Sequence, residues 1–339
     1  MSILKVDTVS GIGTEGTVFE GDITFDSLNY MTLPKGTTTQ SNRGRAIFPG
    51  GNQNPGPVAN IDYLFIQSMG NAVQFGSLAT AQNSMGTCAS STRGLSAGGS
   101  NPAAINTIEY ITIATTANGT DFGDLTTPRR YAAGFNSDTR GVFAGGNGAP
   151  ANEDTIDYVT IASTGNATDF GNLTSARTGC APLSSPTRGL TCGGIESAPA
   201  CVNKIEYVTI ATTGNAVDFG DLTQNYRNGD GAGSNTRGIV GNGSNPSASN
   251  VISYVTIATL GDAVDFGDRT VASPYNGAAA SNSNRTVFAG GQVAPASAVT
   301  NTIEHVTIAS TGNSADFGDL TIANSEFQGL SDSNGGLSE

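Results

Sequence analysis

Tryptophan is absent, histidine occurs once, and Lys5, Lys35 and Lys204 are the only lysines. Charged residues make up 13% of the 339 positions, about half the ~25% usual in soluble proteins. With a net charge of -13, the chain is a poor partner for phosphate backbones, so nucleic acid is excluded as its ligand. No stretch approaches the ~18 apolar residues of a membrane span, and the first residues lack the basic segment and apolar run of a signal peptide. Four cysteines, Cys88, Cys180, Cys192 and Cys201, are too few and too irregular for a secreted disulfide scaffold. They read as free buried thiols, as in a protein folded in a reducing cytoplasm, although Cys180 and Cys192 could lie on adjacent strands. Helical periodicity is missing over any useful length, and the Gly and Thr content opposes helix.

What is there is a repeat. The second glycine of a Gly-Gly pair falls at Gly51, Gly99, Gly146, Gly194 and Gly291, and Asn242-Gly243 holds the same place in the fifth unit. The steps are 48, 47, 48, 49 and 48 residues. A phenylalanine keeps the same beat at Phe75, Phe122, Phe170, Phe219, Phe266 and Phe317, and an arginine opens each unit at Arg45, Arg93, Arg140, Arg188, Arg237 and Arg285. Each unit reads as four short strands. In the fourth unit these are Arg188 to Cys192, Lys204 to Thr213, Ala216 to Leu222 and, in the link to the next repeat, a stretch around Gly231 to Asn235. Lys204 to Thr213 is rich in β-branched residues and bounded by turn residues. Ile205 and Tyr207 point one way from it, Val208 and Ile210 the other, so both its faces are covered. Six such units predict an all-β six-bladed propeller of four-stranded antiparallel blades over residues 41–339. The glycine pairs are expected where blades converge on the central channel and backbones come close.

Residues 1–40 lie outside the repeat. Their strand signals are brief and they cannot bury a core alone, so they read as an extended, β-rich attachment or oligomerisation arm. The closing of the ring poses a choice. Glu326 to Asp332 repeats the first-strand pattern and can sit beside Arg45 to Phe48, which removes an exposed edge; the rival is Thr37 to Ser41.

No candidate catalytic, cofactor or metal site emerges. Asp-Phe-Gly is copied in five units, which a catalytic element is not. The expectation is that Phe packs between blades, Gly turns the chain and Asp satisfies backbone donors. The pairs Asp121/Asp124 and Asp218/Asp221 fall short of a calcium shell of roughly 6–8 oxygens. His305 stands where other units have Tyr63, Tyr110, Tyr158, Tyr207 and Tyr254, and reads as a packed tyrosine substitute. The arginines are expected to form a structural ring of ion pairs, with Arg188 reaching Asp169 or Asp218; a ligand-binding arginine ring is the sharper reading. At the opposite end of each blade the loops after Gly-Gly differ from unit to unit, from NQNPGPVAN to QVAPASAVTN, and loops on a rigid scaffold commonly carry recognition.

Two resemblances attach to these residues. Gly-Gly after a short apolar strand, followed by a tyrosine-bearing strand, resembles the kelch repeat. Kelch units carry a tryptophan after the tyrosine; here Phe122 and its equivalents take that place at a longer spacing. The opening LKVDTVSGIGTEG, GDITF and LPKGTT, with the IEYVTIAS-type repeat, resembles virion structural proteins of tailed phages of marine cyanobacteria. That resemblance implies a non-enzymatic fibre, appendage or head-decorating component without cofactors. It implies a homotrimer, joined to other virion proteins through residues 1–40 and presenting its propeller to a host-surface glycan or receptor. The alternative is a bacterial kelch-like propeller serving as a carbohydrate-binding module, scaffold or enzyme.

Overall fold

The computed structural model describes residues 44–53, 56–197, 200–245, 247–270, 277–293 and 298–337. The arm expected over residues 1–40 lies outside them, as does the rival closing strand at 37–41. The six blades are present as six four-stranded antiparallel sheets. The third is representative: Ala133–Asn136 innermost, then Arg140–Ala144, Thr155–Thr160 and, outermost, Thr168–Asn172.

The Asp-Phe-Gly step is a β-bulge. In the third blade Ile156 pairs with Gly171 and Asp157 with Asp169, so Phe170 is left without a partner. The same shift occurs in the other five blades. An extra residue bends the strand and re-aims a side chain. Here it drives each phenylalanine inward, edge-on to the third-strand ring of its own blade at 5.7–6.1 Å. The following glycine is fixed by a neighbour. A Cβ on Gly171 would stand 2.5 Å from the Gly214 carbonyl of the next blade. Each phenylalanine also belongs to an apolar cluster shared by two blades; Phe122, for example, is buried with Leu95 and Ile108 of its own blade and Val159 and Ile161 of the next. Both faces of the third strand are thus covered, as the pattern predicts.

The ring closes through the C-terminus. Ala46 pairs with Ser331 and Ile47 with Leu330, and the Arg45 N–H donates to Asp332 Oδ1 at 3.0 Å. Phe327 is 1% exposed and meets Phe48 edge-on at 6.2 Å. The C-terminal alternative therefore holds.

The glycine pairs occupy a different place from the one expected. They terminate the second strands rather than line the channel. Gly145 and Gly146 have φ of 61° and 113°, and a Cβ on Gly145 would stand 2.6 Å from the Arg177 carbonyl in the segment crossing to the next blade. The close approach is real, but it is between that crossover and the loop end of the blade. Around the axis, small residues do let the innermost strands touch: a Cβ on Gly134 would meet the Thr87 carbonyl at 2.2 Å. A cavity of about 10 Å³ remains between Pro182, Asp230, Ala279 and Phe327, room for about one water.

Candidate functional site

The two ends of the propeller are built differently. At the end where the second strands begin, six arginines repeat one contact. Each donates from Nη1 to an isoleucine carbonyl of the following blade: Arg45 to Ile113, Arg93 to Ile161, Arg140 to Ile210, Arg188 to Ile257, Arg237 to Ile308 and Arg285 to Ile66, at 2.7–3.2 Å. Five of the guanidinium groups also lie over the tyrosine of their own blade at 4.3–4.8 Å. The expected ring of ion pairs is not what forms: among the described residues no salt bridge joins Arg188 to Asp169 or Asp218. Both aspartates start the outer strand and are exposed, whereas a backbone carbonyl sits directly before the planar fork of the arginine.

Nor do these aspartates satisfy backbone donors as expected. That role falls to the Gly-Asn turn of the following blade. Asn166 Oδ1 accepts from the Asp124 N–H, and Asn71, Asn118, Asn215, Asp262 and Asn313 do the same around the ring, at 3.0–3.1 Å.

The real ion pairs lie on residues passed over in the sequence. The position before each tyrosine or His305 holds Asp62, Glu109, Asp157, Glu206, Ser253 or Glu304, all buried. The five acids accept from the segment after the previous blade's outer strand, and Ser253 shares a hydroxyl–hydroxyl hydrogen bond with Thr223 there at 2.9 Å. Asp157 binds the Thr126 hydroxyl at 2.7 Å and Arg129 at 2.9 Å, with both ionic side chains fully buried. Arg177 pairs with Glu206 at 2.6 Å and Arg269 with Glu304 at 2.7 Å. Arg269 also lies 3.4 Å from Asp230, whose carboxyl burial pushes up to about 7. Fixing attention on Ile205, Tyr207, Val208 and Ile210 hides Glu206. The signal that finds it is an acid recurring between two apolar residues of a buried strand, five times in six units.

His305 takes the tyrosine's place as expected, edge-on to Phe317 at 5.7 Å, and burial lowers its pKa. All four cysteines are free and buried. Asp121 is exposed while Asp124 is partly buried, and among the described residues no group of three or more His, Cys, Asp or Glu could hold a metal ion.

The other end carries the loops that differ. After Gly-Gly, the first, fourth and sixth blades add a small hairpin, and the fifth extends its second and third strands to Arg237–Ser244 and Ala248–Thr256. Inside the loops, the five described crossovers are linked in a chain around the axis. The Ser84 N–H donates to the Glu326 carbonyl, Tyr131 to Ser84, Gly179 to Tyr131 and Asn228 to Gly179, at 2.7–3.3 Å. These five residues all have φ between 56° and 67°, the left-handed region that glycine occupies at least cost. Only one of them is glycine. Tyr131 reaches across Ser84 to place its hydroxyl 3.3 Å from Glu326. At the arginine end the axis is covered by the turn Asn334–Gly336, with the Ser281 hydroxyl donating to Asn334 Oδ1 at 2.7 Å.

Comparison with known proteins leaves this geometry to speak for itself: no family model matches the chain, and no curated protein matches it significantly.

Proposed function

We propose that the chain is a non-enzymatic structural protein of a tailed-phage virion, a fibre, appendage or head-decorating component, whose propeller presents its loop end to a host surface. The observation that carries this reading is polarity. The polypeptide enters the propeller at Gly44, whose carbonyl accepts from the Ile66 N–H at 2.8 Å, at the arginine end of the first blade. The differing loops lie at the opposite end. Residues 1–40, the proposed attachment segment, precede the arginine end in the chain, and recognition is offered at the other. The first blade also exposes Phe65, Met69 and Val73 near the entry point, apolar surface suited to assembly. Arms meeting as a homotrimer would point three loop ends outward.

The test is to locate the chain in an electron cryo-microscopy map of the intact virion. The expected result is a propeller-sized density held by its arginine end, with the loop end facing solvent. Absence of the chain from purified particles would overturn the reading in favour of a bacterial propeller. A loop end buried against the particle would overturn the outward display.

A further inference from the structure

The first blade departs from the other five along one stretch. Residues 63–78, YLFIQSMGNAVQFGSL, run from the third strand through the turn into the outer strand and contain no charged residue. The matching stretches carry Asp121 and Asp124, Asp169, Asp218 and Asp221, Asp262, Asp265 and Asp268, and Asp316 and Asp319. Phe65 stands where the others have Thr112, Thr160, Thr209, Thr256 and Thr307. Phe65, Met69 and Val73 are 38%, 58% and 56% exposed. Val217, Leu260 and Val264 are exposed as well, but they sit in the chain next to Asp218, or close to Asp262 and Asp265. Single apolar side chains among acids are ordinary surface. An apolar surface cleared of charge has the composition of a contact core.

What covers it follows from where the chain enters. The Gly44 carbonyl accepts from the Ile66 N–H at 2.8 Å, and Arg45 pairs with Phe65. Val73 lies one strand further out, opposite Tyr63, so the exposed side chains begin within about 10 Å of the entry point. Residues 1–43 precede that point and lie outside the described residues. Residues 36–43, GTTTQSNR, hold no large apolar side chain; the first apolar run upstream of them is Leu28 to Pro34, LNYMTLP, which is also uncharged. Leu33 is eleven residues before Gly44, a reach of up to about 36 Å. That is several times the span required. A connection this short holds the run at an effective concentration on the order of mM, so a patch too small for a free partner is large enough for a tethered one.

We propose that Leu28, Tyr30, Met31 and Leu33 pack on Phe65, Met69 and Val73 of the same chain. The contact holds the propeller in one orientation relative to its own N-terminal segment. It is made within one chain and involves no other virion protein, so it goes beyond the proposed function and stands or falls separately from it.

Met31 and Met69 are native reporters, because peroxide converts an accessible thioether to the sulfoxide and mass spectrometry counts the product. In the full chain Met31 should oxidise several-fold more slowly than in a free peptide of residues 28–40, at a rate independent of protein concentration. Phe65→Ser with Val73→Ser should speed Met31 several-fold and melt close to the parent, since both are surface positions. Leu28→Ser with Leu33→Ser leaves the propeller untouched and should speed Met69 several-fold. Val217→Ser with Val264→Ser should change neither rate. Met31 as fast as in the peptide, or Met69 unmoved by Leu28→Ser with Leu33→Ser, would overturn the contact. Protection lost on dilution, or restored to Met31 of the Phe65→Ser, Val73→Ser chain by mixing it with the parent, would overturn the contact within one chain in favour of a second copy.

Discussion

The two ends of this propeller use the same residue type differently. At one end six arginines make one contact six times, each capping the next blade's third strand through a carbonyl, and five of them also rest on the tyrosine of their own blade. At the other, among the described residues, arginine stands beside the linked crossovers only in the third and fifth blades, at Arg130 and Arg227. Repetition marks the residues that hold the ring closed. Substitutions in the repeated ties should therefore act on stability.

The largest expected effect comes from opening the ring. Deleting residues 325–339 removes the innermost strand of the first blade together with buried Phe327, Leu330 and Leu337. The chain should lose its cooperative thermal transition. Phe327→Ala alone should cost about 3–5 kcal/mol in denaturant unfolding. A C-terminal deletion that melts like the parent would break the view that closure is what makes the scaffold rigid.

Next come the buried ties. Glu206→Gln leaves the Arg177 guanidinium, fully buried beside it, without its counter-charge, and should cost about 3–5 kcal/mol. Arg188→Ala at the arginine end removes one cation–π contact and the hydrogen bonds to the Ile257 and Ala258 carbonyls, for roughly 1–2 kcal/mol. Chemical denaturation of both variants measures the difference. Equal losses would show that the arginine end is as tightly determined as the buried acids.

The acids also explain what was legible in the sequence and what was not. The period, the two apolar faces of Lys204 to Thr213 and the C-terminal closure could be read because each follows from a spacing or from hydrophobic alternation. The Asp-Phe-Gly step could be recognised as structural, but not as a bulge. Nothing in three letters says that Phe170 drops out of the ladder, since that depends on where Ile156 and Asp157 pair. The partners of Arg188 and Asp169 were misplaced for a related reason. Opposite charges at one end of a blade suggest a pair, yet the carbonyls of Ile257 and Ala258 are nearer, and no sequence pattern marks a carbonyl.

A smaller effect, dependent on pH, sits beside the axis. Asp230 is buried, and its carboxyl titrates at about 7 against an ordinary 3.8, mainly through desolvation, with Arg269 opposing. The folded state therefore holds this proton more tightly than the unfolded chain. Stability should fall as pH rises from about 4 through 7 and level off above. Asp230→Asn should remove that slope and raise stability at pH 8 by roughly 1–4 kcal/mol, with little change at pH 4. Unfolding free energies at both pH values check it, and a variant less stable at pH 8 would mean that the pair with Arg269 outweighs the desolvation.

The smallest effect belongs to the one blade that departs from the pattern at the arginine end. There His305 replaces tyrosine, against Phe317 and near Arg285. Burial and the Arg285 charge both lower its pKa below 6.5, and burial is the larger cause. The unfolded chain therefore takes up this proton before the folded state does. The contribution of the neutral ring is fully present above pH 6.5 and is lost as pH falls through the folded value, the opposite slope to that of Asp230. His305→Tyr should supply the sixth ring beneath an arginine, worth about 0.5–1 kcal/mol at neutral pH. It should also abolish the part of the acid-side loss that His305 causes, so the gain over the parent grows as pH falls from 7 to 5. Melting both proteins at pH 5 and pH 8 measures the two parts separately. A gain equal at both pH values would mean that packing alone distinguishes the two rings. A loss at both would mean that the sixth blade has repacked around imidazole and no longer shares the geometry of the other five.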